Sequence, residues 1–186
     1  FSLFSFPILL LISPLLFSLA LQPLALEANA RHIAVAMADH GAWTDALARA
    51  RRHAPLLKRS LDRSPELEGL LAAGDVAAAL GWVRSRGEHA DTGIALRRQR
   101  LALATTLAIG DLAGAFPLER VVRELTQFAD HALDRAIRTA IRERTREEHA
   151  DGFIALALGK QGAGELNYSP DIDPLLLYDP ATLPQR

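Results

Sequence analysis

Two aspartates, Asp171 and Asp173, flank a single isoleucine near the end of this chain. In a strand, residues two apart point to the same side, so this spacing would send both carboxylates one way and Ile172 toward the core. Two like charges a few ångströms apart repel unless a cation lies between them, and a hard divalent ion with oxygen ligands is the natural partner. By itself Asp-x-Asp is a common string, for which a solvated strand end is the ordinary explanation. The upstream run Gly159-Lys160-Gln161-Gly162-Ala163-Gly164-Glu165 shifts that balance. Its small residues would leave backbone N–H groups open to a phosphate, and Lys160 adds a cation. It is not a Walker A loop, because Gln161 follows Lys160 where Ser or Thr is required and Ile154 stands in place of the first glycine. Nor is it G-x-G-x-x-G, since Asn167 lies three beyond Gly164. An anion cradle, a cationic lysine and a metal-binding carboxylate pair together make the set that phosphoryl or nucleotidyl transfer requires.

Those groups need elements to position them. From Leu26 to about Glu148 the pattern is helical and rich in Ala, Leu, Arg and Glu. Start signals predict helices over Leu26–Ala38, Thr44–Arg52, Ser64–Ala73 with Pro65 in the first turn, Asp75–Arg86 with Asp75 as cap, and Thr92–Ile109. A long helix opened by Pro117 follows, in which Leu118, Val121, Val122, Leu125, Phe128 and Ala129, then Leu133, Ala136, Ile137, Ala140 and Ile141, form an apolar stripe. Glu119 with Arg123 and Asp134 with Arg138 are spaced for ion pairs on its other side. Trp43 and Trp82 read as core anchors, and Arg97, Arg98 and Arg100 as a solvated face. At Asp151 the period changes. Phe153 to Leu158 is an uninterrupted apolar run ended by Gly159, expected as a strand buried on both faces, and Ile172–Tyr178 is expected as a second. The expected fold class is α+β. It divides into an apolar segment of doubtful status at 1–26, a helical region at 27–150, and the first two strands of a mixed sheet at 151–186, an incomplete domain.

Composition narrows the rest. With 21 Lys+Arg against 22 Asp+Glu the formal charge is −1, which argues against a partner bound by bulk positive charge, so no nucleic acid is expected. The absence of cysteine removes disulfides, zinc-thiolate sites and thiol nucleophiles, and fits a reducing compartment. The six histidines are scattered without metal spacing. Residues 1–26 carry no charge, but Pro7, Pro14 and Pro23 interrupt them, so a membrane span is not expected. A mis-set or truncated reading frame, a signal or anchor, and a buried helix all stand open for this segment. The first residue is Phe1 and six residues follow Asp179-Pro180, so the chain reads as a fragment at both ends.

Leu158-Gly159-Lys160, ten intervening residues and Asp171-Ile172-Asp173 resemble the signature of the DNA-polymerase-β-like nucleotidyltransferase superfamily. The fuller string from Gly159 to Asp173 resembles bacterial glutamine synthetase adenylyltransferases, bifunctional enzymes with two such domains. Glu165-Leu166-Asn167-Tyr168 is similar to the N-terminal, adenylyl-removing copy. Ser64-Pro65-Glu66-Leu67, the stretch from Ala95 to Leu112, and the long helix ending near Glu148 resemble the helical part before it.

The resemblance implies a nucleotidyltransferase-type sheet and phosphorolysis, in which inorganic phosphate attacks the AMP group on a tyrosine of glutamine synthetase and releases ADP. It implies that Asp171 and Asp173 are catalytic and bind Mg²⁺ or Mn²⁺, and that Gly159, Lys160 and Ser169 bind phosphate or nucleotide, with ATP, ADP and phosphate as substrates or products. It further implies glutamine synthetase and a PII-type signalling protein as partners, a cytoplasmic location, and a third metal-binding carboxylate on a later strand beyond Arg186, so that this chain alone would be inactive. Three residues depart from the family pattern: Pro170 stands for a second Ser, Pro174 for an aliphatic residue, and Gln161 for an apolar one. Two other readings compete with this one: another superfamily member such as PII uridylyltransferase, and a non-catalytic, membrane-attached helical interaction module.

Overall fold

A computed structural model describes residues 40–145, 151–169 and 171–182. The segment 1–26 and the helix expected over Leu26–Ala38 lie outside them. Six helices come first: α1 His40–His53, α2 Pro55–Asp62, α3 Pro65–Ala72, α4 Val76–Ser85, α5 Thr92–Leu112 and α6 Leu118–Thr145. Strand β1 (Phe153–Ala157), a single helical turn α7 (Gly159–Gly162) and strand β2 (Pro174–Tyr178) follow. The fold class is therefore α+β and mostly helical, as expected. No helix among the described residues is long and apolar enough to cross a membrane.

Local chemistry sets most helix starts. Asp75 Oδ1 accepts from Ala78 N–H at 2.9 Å and Asp91 Oδ1 from Ile94 N–H at 2.7 Å, each satisfying an orphan donor of the first turn. Pro55 and Pro65 sit in the first turns of α2 and α3, where a missing N–H costs nothing. Helix α2 was not anticipated; its eight residues are too few to show a period, and packing of Leu61 decides it.

The core lies among α1 to α6. Trp43, Leu61, Leu67, Leu71, Leu107 and Ile109 are at most 1% exposed, so Trp43 is the anchor expected. Trp82 is only partly buried, with the Arg86 guanidinium 4.9 Å above its ring. Inside the core the Ser60 and Thr105 hydroxyls share a 2.7 Å bond and Thr105 also donates to Leu101 O, which satisfies two buried polar groups at once. Arg51 ties α1 to its neighbours through a two-point fork on Glu68 at 2.7 and 2.6 Å and a 2.7 Å bond to Asp62. Its guanidinium is held above its ordinary range first by Glu68, while Lys58 and then Arg51 lower the Asp62 carboxyl.

The α6 stripe is narrower than its spacing implies. Val121, Leu125 and Ile141 are buried, but Leu118 is 70% exposed and Ala136 and Ala140 face outward, because only part of α6 has a helix against it. Asp134 and Arg138 pair at 2.8 Å as spaced.

The strands run antiparallel, pairing Phe153 with Tyr178, Ala155 with Leu176 and Ala157 with Pro174. The expectation that β1 is buried on both faces is corrected. Phe153, Ala155 and Ala157 turn toward α6, whereas Ile154 (57%), Leu156 (44%) and Leu158 (50%) are exposed, as are Leu175 and Leu177 opposite them. Among the described residues nothing packs on that face, so burial alternates along β1 as on a one-sided sheet, whereas in β2 Leu176 and Tyr178 are exposed too.

Candidate active site

The second strand starts at Pro174 and not at Ile172. Proline cannot donate to the ladder and is placed at a strand's first residue, which leaves Asp171 and Asp173 in the lead-in to β2 and outside the strand expected for them. Both aspartates are exposed. Their neighbour Ile172 is exposed as well, at 40%, and borders an apolar slot with Leu103, Leu125 and Phe128 of α5 and α6. Asp173 approaches the first turn after β1: a Cβ on Gly159 would stand 3.9 Å from Asp173 Oδ2. Gly159 has φ +56°, a left-handed conformation that costs other residues roughly 1–2 kcal/mol. The fold thus brings Gly159 and Asp173 together across a hairpin.

The glycine run is not the open cradle expected. The N–H groups of Gly162, Ala163, Gly164 and Glu165 bond to the carbonyls of Leu158, Gly159, Gln161 and Lys160. Closing a helical turn spends those donors internally, and small residues permit that closure as readily as an open loop. Lys160 is exposed on that turn. Ser169 is also exposed, with its N–H on Asn167 Oδ1 at 3.0 Å in a local turn.

Metal chemistry can be tested on these residues. Among the described residues no group of three or more His, Cys, Asp or Glu is placed to hold a metal ion. Among the described residues the ion pairs involve neither Asp171 nor Asp173, so their oxygens are not taken up by the cations described. One or two carboxylates, with water and phosphate oxygens completing the shell, is the donor set that Mg²⁺ accepts, and Mn²⁺ takes the same hard ligands. The pair fits such an ion.

Three tethers hold this region to the helices, and the sequence reading missed all of them. Leu166 is fully buried in the helical core and its N–H donates to Thr126 Oγ1 at 3.2 Å. Arg100 Nη2 donates to the Tyr168 carbonyl at 3.2 Å. Gln161 is 4% exposed and its Nε2 donates to Asp130 Oδ1 at 2.8 Å. Only the aliphatic Leu166 between polar neighbours could have been noticed beforehand.

Two predictions arise from these contacts. Gln161 Oε1 is buried without a partner, an arrangement that costs about 1–3 kcal/mol, while the bond to the Asp130 carboxylate returns about 1.5–3 kcal/mol less solvent screening at its exposed end, so the two nearly cancel. Gln161→Met is therefore expected to leave stability unchanged or raise it by about 1 kcal/mol in urea unfolding; a clear loss would contradict this balance. Tyr168 is half-buried, and burial first, with nearby Asp111 second, pushes its phenol up from 10.0 to about 12. Burial favours the neutral phenol in the folded state, so this contribution to stability is intact below pH 10 and is lost as pH rises from 10 toward 12. An absorbance titration should show a late tyrosine transition that Tyr168→Phe removes.

The glutamate-ammonia ligase adenylyltransferase family profile matches residues 32–186, which include the glycine turn and both aspartates. A bifunctional glutamine synthetase adenylyltransferase/adenylyl-removing enzyme of Bradyrhizobium diazoefficiens is 33% identical over 175 residues, covering 88% of this chain. Enzymes of the same description from Xanthobacter autotrophicus and Caulobacter vibrioides are each 35% identical, covering 81% and 73% of this chain. The aligned parts are 17%, 16% and 14% of those three proteins, so the chain corresponds to a small portion of each. No solved structure matches. With the profile spanning everything from before α1 to the last residue, the chain belongs to the glutamate-ammonia ligase adenylyltransferase family.

Proposed function

We propose that this chain supplies the opening part of a site that removes AMP from a tyrosine of glutamine synthetase by phosphorolysis. The observation that carries the reading is the approach of Asp173 to Gly159, which joins the glycine turn and the acidic pair into one locus inside the family match. The relatives' names couple adenylylation with adenylyl removal on glutamine synthetase, and our reading takes the second of these for this chain.

In the reaction an oxygen of inorganic phosphate bonds to the phosphorus of the tyrosyl-AMP ester. The bond from phosphorus to the tyrosine oxygen breaks, ADP departs, and the tyrosinate takes up a proton. Mg²⁺ or Mn²⁺, when bound, supplies charge neutralisation across the phosphate oxygens. Asp171 and Asp173 contribute the anionic oxygens that retain such an ion. Lys160 offsets negative charge on the attacking phosphate, Ser169 Oγ donates to a phosphate oxygen, and Gly159, through its positive φ, turns the chain beside Asp173. Glutamine synthetase and a PII-type protein are the partners on this reading, and the cytoplasm its location.

The test uses the chain extended to its relatives' length, with adenylylated glutamine synthetase, phosphate and Mg²⁺. ADP should appear in step with unmodified glutamine synthetase. Release of AMP, or of no nucleotide, would overturn the reading.

A further inference from the structure

We propose that Arg100 of α5 is a positioning residue for Asp171 and Asp173, an inference that rests on the metal-binding reading of that pair. By sequence Arg100 belongs to an arginine-rich, solvated face. In the fold its guanidinium reaches across 68 residues of chain to the Tyr168 carbonyl at 3.2 Å. Its side chain also lines the slot of about 190 Å³ that Ile172 borders. The short segment carrying both aspartates is therefore bonded to the helical layer at its start, by Arg100 at Tyr168, while Ile172, 40% exposed, only borders the slot beside α5 and α6.

The consequence is directional. Ile172 is among the walls of the slot and neither aspartate is, while Asp173 comes up to Gly159 on the other side of the hairpin turn. Ile172 borders the slot while staying exposed, and its two neighbours stand in solvent, where an ion can be shared. The slot has spare volume beside Ile172, so packing alone leaves the segment free to shift, and the Arg100 bond limits that shift. A fixed planar fork holds a carbonyl in one direction better than a flexible ammonium does. Groups that orient metal ligands from outside the ligand set typically change metal affinity 10- to 100-fold when removed.

The experiment is an Mn²⁺ titration of the 186-residue chain followed by amide NMR, with hydrogen exchange measured without metal. In the unaltered chain, broadening should centre on Gly159 and Asp171 to Asp173, and Asp171→Asn with Asp173→Asn should abolish it. Arg100→Met keeps the apolar stem and is expected to raise the Mn²⁺ concentration for half-broadening about tenfold. It should also speed amide exchange from Asn167 to Asp173 while leaving the melting temperature unchanged. Arg100→Lys should recover part of the affinity. Identical Mn²⁺ dependence and exchange in Arg100→Met would overturn the positioning role. Absence of broadening at Asp171 and Asp173 in the unaltered chain would instead overturn the metal reading, and the proposal with it.

Discussion

Asp173→Asn, placed in a protein carrying this chain at its relatives' length, is expected to slow ADP release from adenylylated glutamine synthetase at least about a thousandfold. That factor corresponds to about 4 kcal/mol of lost transition-state stabilisation. Asn keeps the size and one oxygen of Asp but removes the charge that retains a divalent cation, so the ion's contribution to charge neutralisation goes with it. Asp171→Asn should behave alike, and the double variant should be little worse than either single one, since both remove the same ion. Folding should be unaffected. Both side chains are exposed and outside the ion pairs among the described residues, so melting temperatures should agree with the parent. The decisive measurement is single-turnover ADP formation at saturating Mg²⁺. A rate within tenfold of the parent would remove Asp173 from the site.

The largest effect on stability is expected at Gly110, on the buried side of α5. An exposed helical Gly→Ala change would gain about 1 kcal/mol from helix propensity. At this position a Cβ would stand 2.3 Å from Phe116 Cδ2 and Cε2 and 2.8 Å from Cγ, inside any tolerable contact. The ring cannot readily withdraw. Phe116 packs edge-on against Trp43 at 6.0 Å, carries the Arg120 guanidinium 4.2 Å above its face, and belongs to a turn whose Ala115 and Phe116 N–H groups both bond to Gly110 O. Gly110→Ala should therefore lose about 2–3 kcal/mol, lowering the melting temperature by several degrees in a domain of this size. In a Phe116→Ala background the same change should become neutral or stabilising by about 1 kcal/mol, because the clash is gone and the propensity gain remains. Additive losses in the double variant would show that the ring contact is not the cause.

What could be read beforehand followed from local rules. Asp75 as a cap, Pro65 in a first turn, the long helix after Pro117 and the change of period at Asp151 each depend on neighbours within a few residues, and each is present. The Asp134–Arg138 pair is likewise one helical turn long. Errors arose where a local pattern was extended to its surroundings. An apolar run such as Phe153 to Leu158 states what a strand can bury but not how many layers cover it, and here one face of β1 is open. Glycines between Gly159 and Gly164 permit both an open loop and a closed turn, and the hydrogen bonds choose the turn.

The sequence by itself determined the chemistry available to this protein: a spaced pair of carboxylates, a glycine-rich turn with a lysine, a helical region before them, and the family pattern that unites them. Tertiary structure alone decided that Asp173 comes up to Gly159, that Ile172 borders the slot beside α5 and α6, and that Arg100, Thr126 and Asp130 reach back to hold the turn and the aspartate segment. The reason is the range of the forces involved. Caps, periods and ion-pair spacings are settled within a turn or two of chain, whereas these tethers join residues 31 to 68 positions apart and exist only once the helical core has fixed where their partners stand.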